Sequence, residues 1–135
     1  MYSGSVDNTI KMWDTATKTE MTTLGGHYDW VTSITLSADG TRLYSGSDDK
    51  TIKVWDTATN TVIATLIGHD GAVFSTVLSA DSTRLYSGSG DNTIKVWDTN
   101  TNNLITTLIG HANLVWSLVL SHTRLYSGND EIIMW

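Results

Sequence analysis

Short runs of apolar and β-branched residues alternate with turn-forming clusters along the whole chain, and none of these runs carries a helical period. Tyr2 to Gly4 and Thr9 to Trp13 flank the polar stretch Ser5-Val6-Asp7-Asn8, which reads as a hairpin because short polar side chains and nearby glycine suit a tight reversal. Asp14 to Lys18 makes the next turn, and Glu20 to Leu24 the next strand. Four beats then follow at Val31 to Leu36, Arg42 to Ser45, Thr51 to Trp55 and Val62 to Ile67. They return at Val73 to Leu78, Arg84 to Ser87, Thr93 to Trp97 and Leu104 to Ile109. The chain closes on Val115 to Leu120, Arg124 to Ser127 and Ile132 to Trp135. Runs this short, rich in Val, Ile, Thr and aromatics and bounded by turn residues, predict antiparallel strands and almost no helix.

The beats are a repeat in the strict sense. Thr41 to Asn60 reads TRLYSGSDDKTIKVWDTATN and Thr83 to Asn102 reads TRLYSGSGDNTIKVWDTNTN. Trp13, Trp55 and Trp97 fall 42 residues apart, as do His27, His69 and His111. Each Gly-His pair precedes an apolar segment, and Trp13-Asp14, Trp55-Asp56 and Trp97-Asp98 each end one. A period of roughly 40 to 45 with GH and WD signatures marks propeller blades. On these motifs, and over essentially its whole length, the chain resembles the WD-repeat β-propeller family.

That resemblance implies an all-β fold: a single propeller array over residues 1–135, made of four-stranded antiparallel blades and incomplete in one chain. With strands named a to d from the axis outward, residues 1–24 form a partial blade bcd, 25–67 and 68–109 whole blades, and 110–135 a partial blade abc. The last unit is the irregular one, with 38 residues between Trp97 and Trp135 instead of 42. Two are lost where Ser121-His122-Thr123 replaces Ser79-Ala80-Asp81-Ser82-Thr83, and two at the turn Gly128-Asn129-Asp130-Glu131-Ile132. Both end units are expected to be less well held than the middle two.

An incomplete ring leaves sheet faces and edges open, and repeat proteins close such ends with caps or by association. The expected remedy is self-assembly, as a twofold homodimer. Eight blades are favoured, with six as an alternative, and a single-chain four-bladed ring or a fragment of a longer protein as competitors.

Composition narrows the possible partners. Eight basic against fourteen acidic residues give a net charge of −6, which disfavours nucleic acid and anionic membrane surfaces. Without cysteine there is neither a disulfide framework nor a thiolate metal site. No apolar run approaches a bilayer's thickness, and Met1-Tyr2-Ser3-Gly4 lacks the features of a signal peptide, so cytoplasmic residence is the expectation.

His27, Ser45, Asp49 and Trp55 invite a hydrolase reading, and His69, Ser87, Asp91 and Trp97 repeat it. Repetition argues against it, since one active site per chain is the norm. The resemblance implies instead a structural relay, in which Trp donates to Ser and His links Ser to Asp. His111, Ser127 and Trp135 continue it with Asp130 as an uncertain fourth member, while the first unit, with Ser3, Asp7 and Trp13, has no preceding His. The histidines have no second ligand at metal spacing, so neither metal nor cofactor is expected.

The resemblance also places the residues three and five after each GH histidine, and the one before the relay Asp, on the face around the channel. Here these are Trp30, Thr32 and Asp48; Ala72, Phe74 and Gly90; and Leu114 and Trp116, with Asn129 as a weaker member. Exposed aromatics are common binding anchors, and the alternative is that Trp30, Phe74 and Trp116 pack on neighbouring blades. The expected function is therefore a non-catalytic scaffold for a protein or peptide. A hydrolase is one alternative, and an amplified or engineered blade array without a dedicated partner is the other.

Overall fold

The structure is a computed structural model that describes residues 1–129 and 131–135. Asp130 and its expected place in the relay lie outside the described residues. Among the described residues all fourteen elements are strands: β1 (Tyr2–Gly4), β2 (Thr9–Trp13) and β3 (Glu20–Gly25); β4 (Val31–Leu36), β5 (Arg42–Ser47), β6 (Ile52–Asp56) and β7 (Thr61–Leu66); β8 (Val73–Leu78), β9 (Arg84–Ser89), β10 (Thr93–Asp98) and β11 (Leu104–Ile109); and β12 (Ser117–Ser121), β13 (Arg124–Gly128) and β14 (Ile132–Met134). They form four antiparallel sheets of three, four, four and three strands, each in chain order. The counts fit two four-stranded blades between two incomplete ones, with strands labelled bcd, abcd, abcd and abc in chain order.

Two kinds of turn let the strands reverse without proline. Asn8, Lys50 and Asn92 take left-handed backbone between strands b and c, and Lys18, Asn60 and Asn102 between c and d. Asparagine tolerates that conformation better than most residues, whereas lysine has no such advantage. Asp49 stabilises its turn by accepting from the Thr51 amide at 3.0 Å and from the Thr51 hydroxyl at 2.7 Å, and Asp91 does the same for Thr93 at 2.9 and 2.7 Å.

The core lies between blades, not within them. Ile52 and Leu66 of the second blade pack against Val73, Leu85 and Trp97 of the third, with Tyr44 in the same cluster. Ile10 and Leu24 of the first blade meet Val31, Leu43 and Trp55 of the second in the same way. Strand b can lie this close to the next blade because it carries glycine. A Cβ built on Gly46 would lie 2.8 Å from Val73 Cγ1, and one on Gly88 2.7 Å from Val115 Cγ1. The inner strands add polar clasps: the Thr76 amide donates to Ser33 Oγ at 2.9 Å, and the Leu118 amide to Ser75 Oγ at 3.1 Å.

The third junction is looser than the second. A cleft of about 510 Å³ opens among Tyr86, Leu108, Leu120, Leu125 and Trp135. Beyond it the last blade's far face is uncovered, with Ile132 80% exposed where Ile10, Ile52 and Ile94 are each 0%. Strand β12 also starts late, at Ser117 and not at Val115. Val31 and Val73 pair with Ser47 and Ser89 in their own blades. Among the described residues Val115 has no such partner, and its amide donates to Ser89 O of the preceding blade at 2.9 Å, as the Val31 amide does to Ser5 O at 3.0 Å.

Candidate functional site

The polar residues singled out by the sequence converge in the two complete blades. His27 Nδ1 lies 2.7 Å from Asp49 Oδ2 and its Nε2 2.7 Å from Ser45 Oγ, while Trp55 Nε1 donates to the same Ser45 oxygen at 2.8 Å. His69, Asp91, Ser87 and Trp97 reproduce this at 2.7, 2.7 and 2.9 Å. A carboxylate can only accept, so the histidine donates from Nδ1 and takes the serine proton at Nε2 as a neutral ring.

The electrostatics favour that neutral form. Burial lowers the His27 and His69 pKa, and the Asp49 and Asp91 carboxylates beside them only partly oppose the shift. Burial alone would raise Asp49, but hydrogen bonds from the Thr51 side chain, His27, and the Tyr28 and Thr51 amides hold it at about 2. Asp91 is likewise held at about 2, against burial, by Thr93 and His69.

The end blades hold less of the arrangement. In the last, His111 Nε2 is 2.5 Å from Ser127 Oγ, to which Trp135 Nε1 donates at 2.7 Å. In the first, Trp13 Nε1 donates to Ser3 Oγ at 2.8 Å, and Asp7 caps Thr9. Ser45 and Ser87 are fully buried, and His27 and His69 nearly so, which leaves no path for a substrate to either hydroxyl.

The residues expected on the channel face are arranged differently. The Asp48 amide donates to Trp30 O at 3.0 Å, and the Gly90 amide donates to Ala72 O at 2.8 Å in the next blade. Trp30 is 52% exposed. β-Bulges at Thr32 and Phe74 turn these side chains out of their own ladders. Thr32 donates to Gly46 O at 3.1 Å and to Val73 O of the next blade. Phe74 stacks on Trp116 of the next blade, with ring centres 4.0 Å apart and planes inclined by 27°. Trp116 keeps 54% of its surface exposed, while Leu114 beside it is half-buried. Phe74 and Trp116 thus pack across a blade junction, and Trp30 remains largely free.

Sequence reasoning held the packing of Phe74 and Trp116 on neighbouring blades as its alternative reading, and it missed one feature, the enclosed Asp48 oxygen. The Phe74–Trp116 stack joins residues 42 apart, each of which looks isolated within its own repeat. Asp48 Oδ1 is shut off from solvent and accepts no hydrogen bond. Burial, then the negative charges of Asp29 and Asp49, push the Asp48 carboxyl above its ordinary range.

Four-stranded antiparallel sheets in tandem, locked blade to blade by valine against glycine, define a β-propeller-type repeat array. The model of the family described as "WD domain, G-beta repeat" matches residues 1–14, 18–56 and 60–98, and the chain belongs to that family, whose repeats serve as protein-interaction scaffolds. The chain is also similar to ribosome assembly protein 4 of Saccharomyces cerevisiae, at 50% identity over 40 residues. That stretch covers 30% of this chain and 8% of the relative. Among the described residues no helix is long and apolar enough to cross a membrane.

Proposed function

We propose that this chain is a non-catalytic protein-interaction scaffold whose channel-side rim, from Trp30 and Asp48 to Phe74 and Trp116, receives a peptide segment of a partner. In this reading the His-Ser-Asp-Trp networks are structural. The observation that carries it is a division of exposure: Ser45 and Ser87 are 0% exposed inside their networks, while Trp30 and Trp116 stand 52% and 54% exposed on the rim. A nucleophile must reach its substrate, whereas a binding anchor must reach solvent.

The scaffold is completed by a second copy, which joins head to tail at both ends to make an eight-bladed ring. Support comes from the uncovered Ile132 and Met134, at 80% and 56% exposure, which occupy the positions that Ile94 and Val96 bury at an internal junction. Native mass spectrometry tests the ring. Twice the 14.8 kDa chain mass is expected, with loss of the dimer in Ile132→Asp, and a monomer at every concentration overturns it. His69→Ala tests the relay: it lowers the unfolding midpoint, whereas a folded but inactive variant of a measurable hydrolase would favour catalysis.

A further inference from the structure

The second and third junctions repeat the same side chains without the same enclosure. Tyr44, Leu66 and Trp97 are buried at the second, whereas Tyr86, Leu108 and Trp135 at the matching places of the third are only half-buried. These three, with Leu78, Leu120 and Leu125, line the cleft of about 510 Å³. A volume of this order accepts a small organic molecule, and an apolar lining with a few polar groups is the usual make-up of such a site.

The loop from strand a to strand b differs at the same place. At the second junction Ser82, in the loop Ser79 to Thr83, reaches back to the preceding blade, where its Oγ accepts from the Ala38 amide at 3.1 Å. Ser82 is held there with left-handed backbone at φ 56°, and its carbonyl accepts from Thr99 Oγ1 at 2.7 Å. The last blade makes the same turn with Ser121-His122-Thr123, two residues fewer. Among the described residues the Ala80 amide, the counterpart of Ala38, has no acceptor, and both Ala80 and the short loop line the cleft.

The second junction therefore shows what the third lacks: an apolar filling beside the tyrosine and tryptophan, and an oxygen for one backbone amide. No Asp, Glu, Lys or Arg lines the cleft, so a charged ligand would give up hydration without gaining a counter-ion. Because the cleft opens between two neighbouring sheets, a flat body suits it best.

We propose that this cleft binds a small uncharged ligand with a flat apolar body and one carbonyl or hydroxyl oxygen. The body lies among Leu78, Tyr86, Leu120 and Trp135, and the oxygen accepts from the Ala80 amide. The site shares no residue with the channel-side rim and does not depend on what binds there.

The test uses the full chain and two probes of nearly equal size: 2-acetylnaphthalene, which carries the oxygen, and 2-isopropylnaphthalene, which lacks it. On titration both are expected to move the Trp135 indole N–H signal, and the first also the Ala80 amide signal, while Trp97 and Ala38 stay in place. Ala80→Pro removes that N–H at the second position of the turn closed by the Ser82 amide and Ser79 O at 2.8 Å, a position that suits proline. It should weaken 2-acetylnaphthalene about threefold to tenfold and leave 2-isopropylnaphthalene within about twofold. Replacing Ser121-His122-Thr123 with the five residues of the Ser79 to Thr83 loop should abolish binding of both probes without lowering the thermal unfolding midpoint. If neither probe moves Trp135, or if both still bind after the loop replacement, the cleft is not the site and the proposal falls. An equal effect of Ala80→Pro on the two probes overturns the oxygen's contact. Movement of the Ala80 signal on raising the protein concentration alone would give the cleft to a second copy and overturn the small-molecule reading.

Discussion

The second blade and the last share RLYSG on strand b and an isoleucine and a tryptophan at matching places on strand c, yet they stand in different physical states. Ile52 is 0% exposed and Ile132 is 80% exposed, although each lies on strand c three residues before its tryptophan. Gly46 faces Val73 at a distance that leaves no room for a methyl group, whereas among the described residues nothing lies nearer than 3.5 Å to the Cβ that Gly128 lacks. The difference is the presence of a blade on the far side. Burial in this molecule is thus a property of the junction, and a repeat acquires a core only when its neighbour docks.

Mutation can break that comparison directly. Ile52→Ala is expected to cost about 2–5 kcal/mol in urea unfolding, as for a large aliphatic removed from a packed core. Ile132→Ala should stay within about 0.5 kcal/mol when unfolding starts from the single chain. Equal losses would mean that something already covers the last blade.

A smaller gap is expected between the glycines. Gly46→Ala forces Val73 to move and should cost about 1–3 kcal/mol, while Gly128→Ala should be close to neutral.

The histidines sharpen the contrast through pH. The folded pKa of His27 and His69 lies below the ordinary 6.5, so the unfolded chain takes up protons first as pH falls. Stability should hold above about 6.5 and decline below it, until the folded-state histidines themselves protonate. A second decline follows as Asp49 and Asp91, held at about 2, lose charge below the ordinary 3.8. Unfolding midpoints followed across pH should lose the first decline in the His27→Gln/His69→Gln double variant, and its persistence there would assign it elsewhere.

The smallest effect concerns a turn. Lys50 holds φ at 71° where the neighbouring repeats use asparagine, so Lys50→Gly should gain about 0.5–1 kcal/mol, measured by thermal unfolding.

Much of the strand plan was legible because the apolar alternation and turn residues recur with one period, so that each blade corroborates the next. Strand b was read too short, ending at Ser45 and Ser87, because its final serines look like turn residues. Ser47 Oγ in fact donates to Asp29 O, and Ser89 Oγ to Gly71 O, each at 3.1 Å, which ties the strand end to the loop after the GH pair. The pairing of His27 with Ser45 and Asp49 was open to the sequence only through the family resemblance, since residues 18 and 22 apart become neighbours through the sheet. The inner-strand polar residues were not legible at all. Nothing in the sequence marks Ser33, Thr35 and Thr76 as partners across a junction, because alternation cannot tell water from a neighbouring blade's hydroxyl.

Those inner-strand clasps give the array an arrow. In both cases the hydroxyl belongs to the earlier blade and the amide to the later one, Ser33 receiving from Thr76 and Ser75 from Leu118. Ser117 is next in that series, and it is exposed. A lattice of donors and acceptors with this polarity can be extended only in one sense, so two such arcs set back to back could not mimic it. Any blade added after the last one must approach with its inner strand leading, as a tile that fits in a single orientation.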